Sequence, residues 1–207
     1  MDEPLVQWLV PQGVSADLVA ERWKLTREDL DEYSARSHQR APAADFSREI
    51  VPITTADGPS WTATRPSGPR RPWPHWPGDQ PFDTDELRAQ FPDLTWRINA
   101  QNSSQITDGA SALLLMSEER AAQLTVTPRV RIHAMAVAAD NPIPATEKVL
   151  RRIGLTIDDL DHCEVNEAFA PVPLAWQRHF GADPEKLNPR DEAIALATRW
   201  ARPARGS

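Results

Sequence analysis

Residues 163–170, Cys-Glu-Val-Asn-Glu-Ala-Phe-Ala, contain the side chains of this sequence that are best placed to do chemistry. An apolar and acidic run ends at Asn166, and an alanine-rich segment typical of a helix follows it. This pattern predicts a short strand at residues 162–165 and a helix at residues 167–180, closed by Gly181. At such a junction an asparagine either caps the helix or presents its carboxamide to a ligand, and both interpretations are open at this point.

A second polar stretch, residues 99–116, reads NAQNSSQITDGASALLLM. Its asparagine- and serine-rich loop follows a predicted strand at residues 94–98. A helix is predicted to begin at about Asp108, and its small residues would let it approach another backbone closely.

Taken together, NSSQITDGASALLLMSEERA and the pair PIPA…VNEAFA resemble the thiolase family. Thiolases are acyl-CoA acyltransferases that make or cleave 3-ketoacyl-CoA, and the resemblance covers residues 9–58 and 81–196. It implies an α/β fold of two similar βαβαβαββ halves, with a loop domain inserted in the first half. We expect this chain to hold an incomplete thiolase-like fold, namely the loop domain plus the front part of the C-terminal βαβ half.

The same resemblance predicts how the chain divides into segments. We expect a loop-domain-like segment, the end of the N-terminal half, a partial C-terminal domain and an aberrant tail, at residues 1–106, 107–128, 129–196 and 197–207.

The resemblance also implies roles for four residues. In thiolases the asparagine of the NEAF motif binds a water that helps to hold the thioester oxygen, and Asn166 matches it as the catalytic candidate. Phe169 matches the aromatic residue that packs on the pantetheine or acyl arm. Ser104 matches the loop serine that bonds the pantetheine amide, and Ala100 matches a neighbouring contact. Gln101 departs from the glycine usual in the family, which affects how closely the arm can approach.

Three of the family's reactive groups have no match in this sequence. The nucleophilic cysteine belongs to a segment before this chain begins, and the second cysteine to one after it ends. The activating histidine should follow the AIAL sequence that ends at Leu196, where this sequence reads ATRWARPARGS. Cys163 lies in a predicted strand, where a small core residue is expected. We therefore expect this chain to be inactive on its own as a thiolase, since acyl transfer needs a thiolate and a base.

Two helices near the start of the chain are expected to support the site. The first is predicted at residues 15–24, with Ser15 as its N-cap and Leu18, Val19 and Trp23 on one face. The second should begin at Thr26 and end near residue 41. Thr26 and Asp29 form a predicted capping box, and Leu25 and Leu30 are spaced as a hydrophobic staple.

Further along the chain, residues 130–137 are interpreted as a buried strand. A helix should then run from about residue 145 to 153 and end at Gly154. Pro171 and Pro173 fall inside the helix predicted at residues 167–180, where they should cause a kink. The alternation of strands and helices is typical of an α/β fold.

Residues 59–79 interrupt this pattern, because proline recurs there without periodicity and three tryptophans are interleaved. Polyproline-like linkers and peptide ligands of aromatic grooves have this composition. A one-base slip in a GC-rich gene is a third hypothesis, since the neighbouring frame would encode a thiolase-like segment. Resequencing of the gene would test that hypothesis.

Bulk composition narrows the classes of partner. A net charge of -7 with 40% hydrophobic residues is typical of a globular protein in water and disfavours nucleic-acid and membrane binding. The single cysteine allows no internal disulfide, so we expect a cytoplasmic protein.

The partners implied are acyl-CoA or CoA and either a second copy or a complete thiolase subunit. No cofactor is expected, because CoA thioesters are the substrates, and no metal site is expected, because Asp161, His162 and Cys163 alternate in direction along a strand.

Two alternatives to a thiolase-type acyltransferase remain. The first is a non-catalytic thiolase-like protein that binds acyl-CoA or pairs with a complete subunit. The second is the relic of a frameshifted gene, without function.

Overall fold

The structure is a computed structural model that describes residues 10–41, 51, 53–55, 58–61, 84–104, 106–107, 111–139, 142–190, 193–196 and 198–199. Within these residues seven helices form: α1 (Gln12–Arg22), α2 (Arg27–Arg40), α3 (Asp85–Gln90), α4 (Glu118–Gln123), α5 (Pro142–Ile153), α6 (Pro171–Phe180) and α7 (Ala193–Leu196). Four short strands accompany them: β1 (Ile53–Thr55), β2 (Gly58–Trp61), β3 (Ile106–Thr107) and β4 (Thr198–Arg199). β1 pairs antiparallel with β2, and β3 pairs parallel with β4.

Helix α1 begins earlier than predicted and turns a different face inward. Its N-cap is Pro11, so Ser15 lies inside the helix rather than capping it. Leu18, which the sequence pattern placed on the apolar face, is 41% exposed, and Trp23 packs only partly against the core. The buried residues are instead small or short, namely Gly13, Val14, Ala16, Asp17 and Ala20. This small-residue face packs against α6.

Helix α2 begins as its local sequence predicts. The Thr26 hydroxyl accepts a hydrogen bond from the Asp29 amide, and the Asp29 carboxylate accepts one from the Thr26 amide, so the capping box is confirmed. Leu25 and Leu30, the two staple residues, are both buried in the main core. The capping box and the staple together fix the direction in which the chain enters α2.

Helix α6 is shorter than the predicted helix at residues 167–180. Its N-cap is Ala170, and residues 167–170 precede it. The expected kink was wrong, because Pro171 and Pro173 lie in the first turn, where backbone amides have no helical acceptor and a proline loses no bond. Gly181 ends the helix in the left-handed conformation with a φ of 63°, as predicted.

The strands predicted at residues 94–98 and 162–165 do not form. The Arg97 and Ile98 amides donate to the Asp17 carboxylate, which takes the place of a strand partner. In the other segment only Cys163 is paired, as an isolated parallel bridge to Leu187. Side chains therefore hold the first segment, and one isolated bridge with side chains holds the second, in place of a sheet.

The predictions for residues 108–116 and 130–137 were also wrong where the structure describes them. Residues 111–117 are not helical, and α4 begins only at Glu118. Residues 130–137 form no strand, and their large apolar side chains are exposed rather than buried. The Met135 and Val137 carbonyls instead accept hydrogen bonds from Arg152 and Lys148 of α5. Neither segment has a sheet neighbour among the described residues.

Helix α5 begins at Pro142, three residues before its predicted start, and ends before Gly154, whose φ is 70°. The core lies among α1, α2, α6 and the segments that carry Ile98, Val165 and Leu187. Cys163 belongs to this core, as predicted.

No helix in the described ranges is long and apolar enough to cross a membrane. The stretch at residues 59–79 lies outside the described residues except for the backbone of β2.

Candidate functional site

The two polar stretches of the sequence are paired in the structure. Ser103 and Phe169 form an antiparallel bridge. The Ser104 amide donates to the Ala168 carbonyl at 2.9 Å, and the Ala170 amide donates to the Asn102 carbonyl at 2.9 Å. Residues 102–104 and 168–170 therefore form one short antiparallel ladder, which defines the candidate site.

The predicted site residues lie on or beside this ladder. Asn166 is exposed, and its Oδ1 accepts a hydrogen bond from the Ala168 amide at 2.7 Å. It does not cap α6, so the N-cap interpretation was wrong: the N-cap is Ala170, four positions further along the chain. Ser104 and Phe169 are half-buried, and Ala100 is exposed in the loop that leads into the ladder. The structure thus brings the candidates together, while their roles remain predictions.

Side-chain amides, rather than secondary structure, shape the loop that carries Ala100 and Ser104. The Asn99 carboxamide oxygen accepts from the Gln101 and Asn102 amides at 2.8 and 3.1 Å. The Asn102 oxygen accepts from the Asn99 amide at 2.9 Å in return. Ser103 Oγ donates to the Asn99 carbonyl at 2.6 Å. These reciprocal bonds hold the loop in one conformation, a known use of asparagine in turns.

Two buried helix carboxylates anchor the same loop. Asp17 of α1 accepts from the Arg97 and Ile98 amides at 2.7 and 3.1 Å. Asp31 of α2 accepts from the Asn102 side chain at 3.2 Å and from the Arg27 guanidinium at 2.5 Å. Burial raises the pKa of Asp17 to about 6, and it also raises the pKa of Asp31. For both groups the desolvation of the charged form outweighs the donors around it.

The raised pKa of Asp17 predicts a pH dependence of stability. Its pKa is about 6 in the folded state, against an ordinary value of 3.8. Between these two pH values the folded state therefore binds more protons than the unfolded state, and stability falls as pH rises from about 4 to 6. The rise in pKa from 3.8 to about 6 corresponds to a total loss of about 3 kcal/mol in the free energy of unfolding. We expect the Asp17→Asn variant to lack this component. When the free energy of unfolding in urea is measured for both proteins, wild type should lose roughly 2 kcal/mol relative to the variant as pH rises from about 4.5 to 7.5. Parallel profiles would contradict the assignment.

A further polar cluster, which was not predicted from the sequence, lies beneath the site. Glu167 is only 3% exposed, and its Oε1 accepts from the Tyr33 hydroxyl at 2.5 Å and from Asn188 Nδ2 at 2.7 Å. A signal for it existed: in an extended chain Cys163, Val165 and Glu167 share one face, and the first two are apolar. That alternation places Glu167 inward and Asn166 outward, as the structure has them.

The sulfur and imidazole groups nearby show no sign of a nucleophilic site. Cys163 is 8% exposed, and burial raises the pKa of its thiol, which favours the protonated form. His162 Nε2 lies 2.5 Å from the exposed Glu164 carboxylate, on the outer side of the segment. The described residues contain no group of three or more side chains suited to hold a metal ion.

Two models of known protein families together match nearly the whole chain. The family model described as the thiolase N-terminal domain matches residues 6–119, and the one described as the thiolase C-terminal domain matches residues 121–198. A steroid 3-ketoacyl-CoA thiolase of Mycobacterium tuberculosis is 41% identical over 210 residues, which cover 92% of this chain and 48% of that protein. A 3-ketoacyl-CoA thiolase of Aeromonas salmonicida is 39% identical over 202 residues, covering 89% of this chain and 50% of that protein.

Solved structures give the same result for the fold. The crystal structure of the dimeric peroxisomal thiolase of Saccharomyces cerevisiae matches with a TM-score of 0.72 and 30% sequence identity. The match covers 90% of this chain and 48% of that chain, which confirms the predicted α/β, incomplete thiolase-like fold. The chain thus spans about half the length of the curated relatives that it matches.

Proposed function

Because this chain belongs to the thiolase family, we propose that it binds an acyl-CoA thioester at the ladder formed by residues 102–104 and 168–170. The observation that carries this function is the Ser103–Phe169 bridge, which joins two segments far apart in sequence. The relatives named as 3-ketoacyl-CoA thiolases support acyl transfer between CoA thioesters as the reaction class. CoA enters as the substrate, and no separate cofactor takes part.

The side chains at the ladder suit the parts of such a ligand. Asn166 is exposed and its Oδ1 is occupied by the Ala168 amide, which orients its Nδ2 donors for a water or a thioester oxygen. Ser104 supplies a hydroxyl that can bond an amide of the pantetheine arm. Phe169 is half-buried, and its partly exposed ring offers an apolar surface to the arm or the acyl chain.

Binding without turnover is the behaviour expected of these 207 residues. Their single cysteine is Cys163, which is buried with a raised pKa and therefore lacks the thiolate that acyl transfer requires. A thiolate from another segment or from a complete thiolase subunit would supply the nucleophile. The yeast relative is described as dimeric, and self-association of this chain is the corresponding expectation. A cytoplasmic location suits a chain with one cysteine and no internal disulfide.

Acetoacetyl-CoA is the ligand for the test. The purified chain should bind it in isothermal titration calorimetry and should show no thiolysis when loss of the ketoacyl absorbance is followed. Asn166→Ala should weaken binding about three- to tenfold, the effect of one lost hydrogen bond. Gln123→Ala is the control, because it removes an exposed carboxamide from α4.

Two results would contradict this function. If the folded chain did not bind acetoacetyl-CoA, the proposed acyl-CoA site would be ruled out. Turnover that survives Cys163→Ser but falls with Asn166→Ala would mean that groups other than those assigned above carry out the chemistry.

A further inference from the structure

The residues on both sides of Asn166 are held by one buried cluster, which consists of Tyr33, Glu167 and Asn188. Asn188 Oδ1 accepts from the Val165 amide at 2.7 Å, and its Nδ2 donates to the Val165 carbonyl at 2.8 Å. The same Nδ2 lies 3.0 Å from the Tyr33 hydroxyl. Asn188 thus binds the backbone of Val165, which precedes Asn166. Glu167, another member of the cluster, directly follows Asn166.

The Glu167 carboxylate collects donors from three separate parts of the chain. Its Oε1 accepts from Tyr33 of α2 and from Asn188, and its Oε2 accepts from the Ile194 amide at 3.3 Å at the start of α7. A carboxylate can accept at both oxygens, whereas a carboxamide has only one acceptor oxygen. The donor set therefore matches a carboxyl group better than a carboxamide of the same shape.

We propose that Glu167 is a positioning residue for Asn166, a role that rests on the acyl-CoA binding proposed above. Successive side chains of an extended segment point to opposite sides. With Glu167 fixed inward by its three donors, Asn166 is held outward beside the ladder. The Ala168 amide then bonds Asn166 Oδ1 at 2.7 Å, which sets the orientation of the carboxamide. Glu167 acts only through Asn166 and does not itself reach the ligand, since it is 3% exposed.

The test combines NMR with a double-mutant cycle on the full chain. Glu167→Gln and Tyr33→Phe are mild changes that keep the shape of the cluster, and Glu164→Gln is the matched control on the exposed side of the same segment. The side-chain amide signals of Asn166 should shift or broaden in the first two variants and stay unchanged in the control. Affinity for acetoacetyl-CoA should fall about threefold in Glu167→Gln, and this fall should vanish when Asn166 is already alanine.

The outcomes separate this inference from the binding function. If the fall in affinity persists in the Asn166→Ala background, Glu167 has a merely structural role and the inference is wrong. If Asn166 signals are the same in wild type, Glu167→Gln and Tyr33→Phe, it is wrong as well. If the wild-type chain binds no acyl-CoA, the proposed function fails, whereas a selective shift of the Asn166 signals in Glu167→Gln and Tyr33→Phe still supports the positioning role.

Discussion

Replacing Asn188 with alanine is expected to lower the free energy of unfolding by about 3–5 kcal/mol. The side chain is 1% exposed and pairs with the Val165 amide and carbonyl, and the Tyr33 hydroxyl and the Glu167 carboxylate share its second Nδ2 hydrogen. Alanine would leave the Val165 backbone groups and a buried carboxylate short of partners. Unpaired buried polar groups cost about 1–3 kcal/mol each, and a charged one costs more. Urea unfolding followed by tryptophan fluorescence would measure the loss.

A backbone effect must be separated from this loss, because Asn188 has a φ of 43°. Asparagine tolerates the left-handed region better than most residues, so alanine adds some strain of its own. Asn188→Gly is the matched control, because glycine adopts a φ of 43° without strain and lacks the same hydrogen-bonding side chain. Its loss of stability should match that of Asn188→Ala to within about 1 kcal/mol. A much smaller loss for Asn188→Gly would show that backbone strain, and not the buried hydrogen bonds, accounts for the alanine result.

Local signals in the sequence were enough to predict several helix ends. The capping box of Thr26 and Asp29 involves residues three apart, and Gly154 and Gly181 need only their own φ values of 70° and 63°. Such features depend on neighbours along the chain, so tertiary packing does not change them. The start of α6 is different, because residues 168–170 pair with the loop at residues 102–104 and the helix begins only after them.

Predictions failed where partners come from far along the chain. Residues 94–98 alternate like a strand, but Asp17, about 80 positions earlier, accepts hydrogen bonds from the Arg97 and Ile98 amides. Residues 111–117 and 130–137 have apolar patterns typical of buried elements, yet Leu113, Leu114 and Val137 are more than 80% exposed. A hydrophobic pattern shows which residues can be buried, whereas burial itself requires a neighbour to cover them.

The candidate site was only partly predictable for a similar reason. Ser104 and Phe169 were chosen through the family resemblance, and the structure places their segments side by side. Glu167 was overlooked because acidic residues are almost never fully buried unless they are paired. Its partners Tyr33 and Asn188 lie 134 and 21 positions away, so no local pattern could identify the pairing.

Leu30→Ala is expected to lower the free energy of unfolding by about 2–5 kcal/mol. Leu30 is fully buried in the main core, one turn into α2 and next to the capping box. Truncation removes buried methyl groups and leaves a cavity that the rigid helix start cannot close. The loss should appear as a lower urea midpoint with an unchanged slope, because the same surface is exposed on unfolding.

Leu18→Ala is the control that decides whether the packing of α1 is right. The sequence pattern placed Leu18 on the apolar face of α1, but the structure exposes 41% of it. Because Leu18 is only partly covered, this variant should cost about 1 kcal/mol or less, clearly below the loss for Leu30→Ala. If Leu18→Ala instead cost as much as Leu30→Ala, α1 would turn its leucine face inward in solution. Asp17 could not then reach the Arg97 and Ile98 amides as described, and the loop that carries Ser104 would need another anchor.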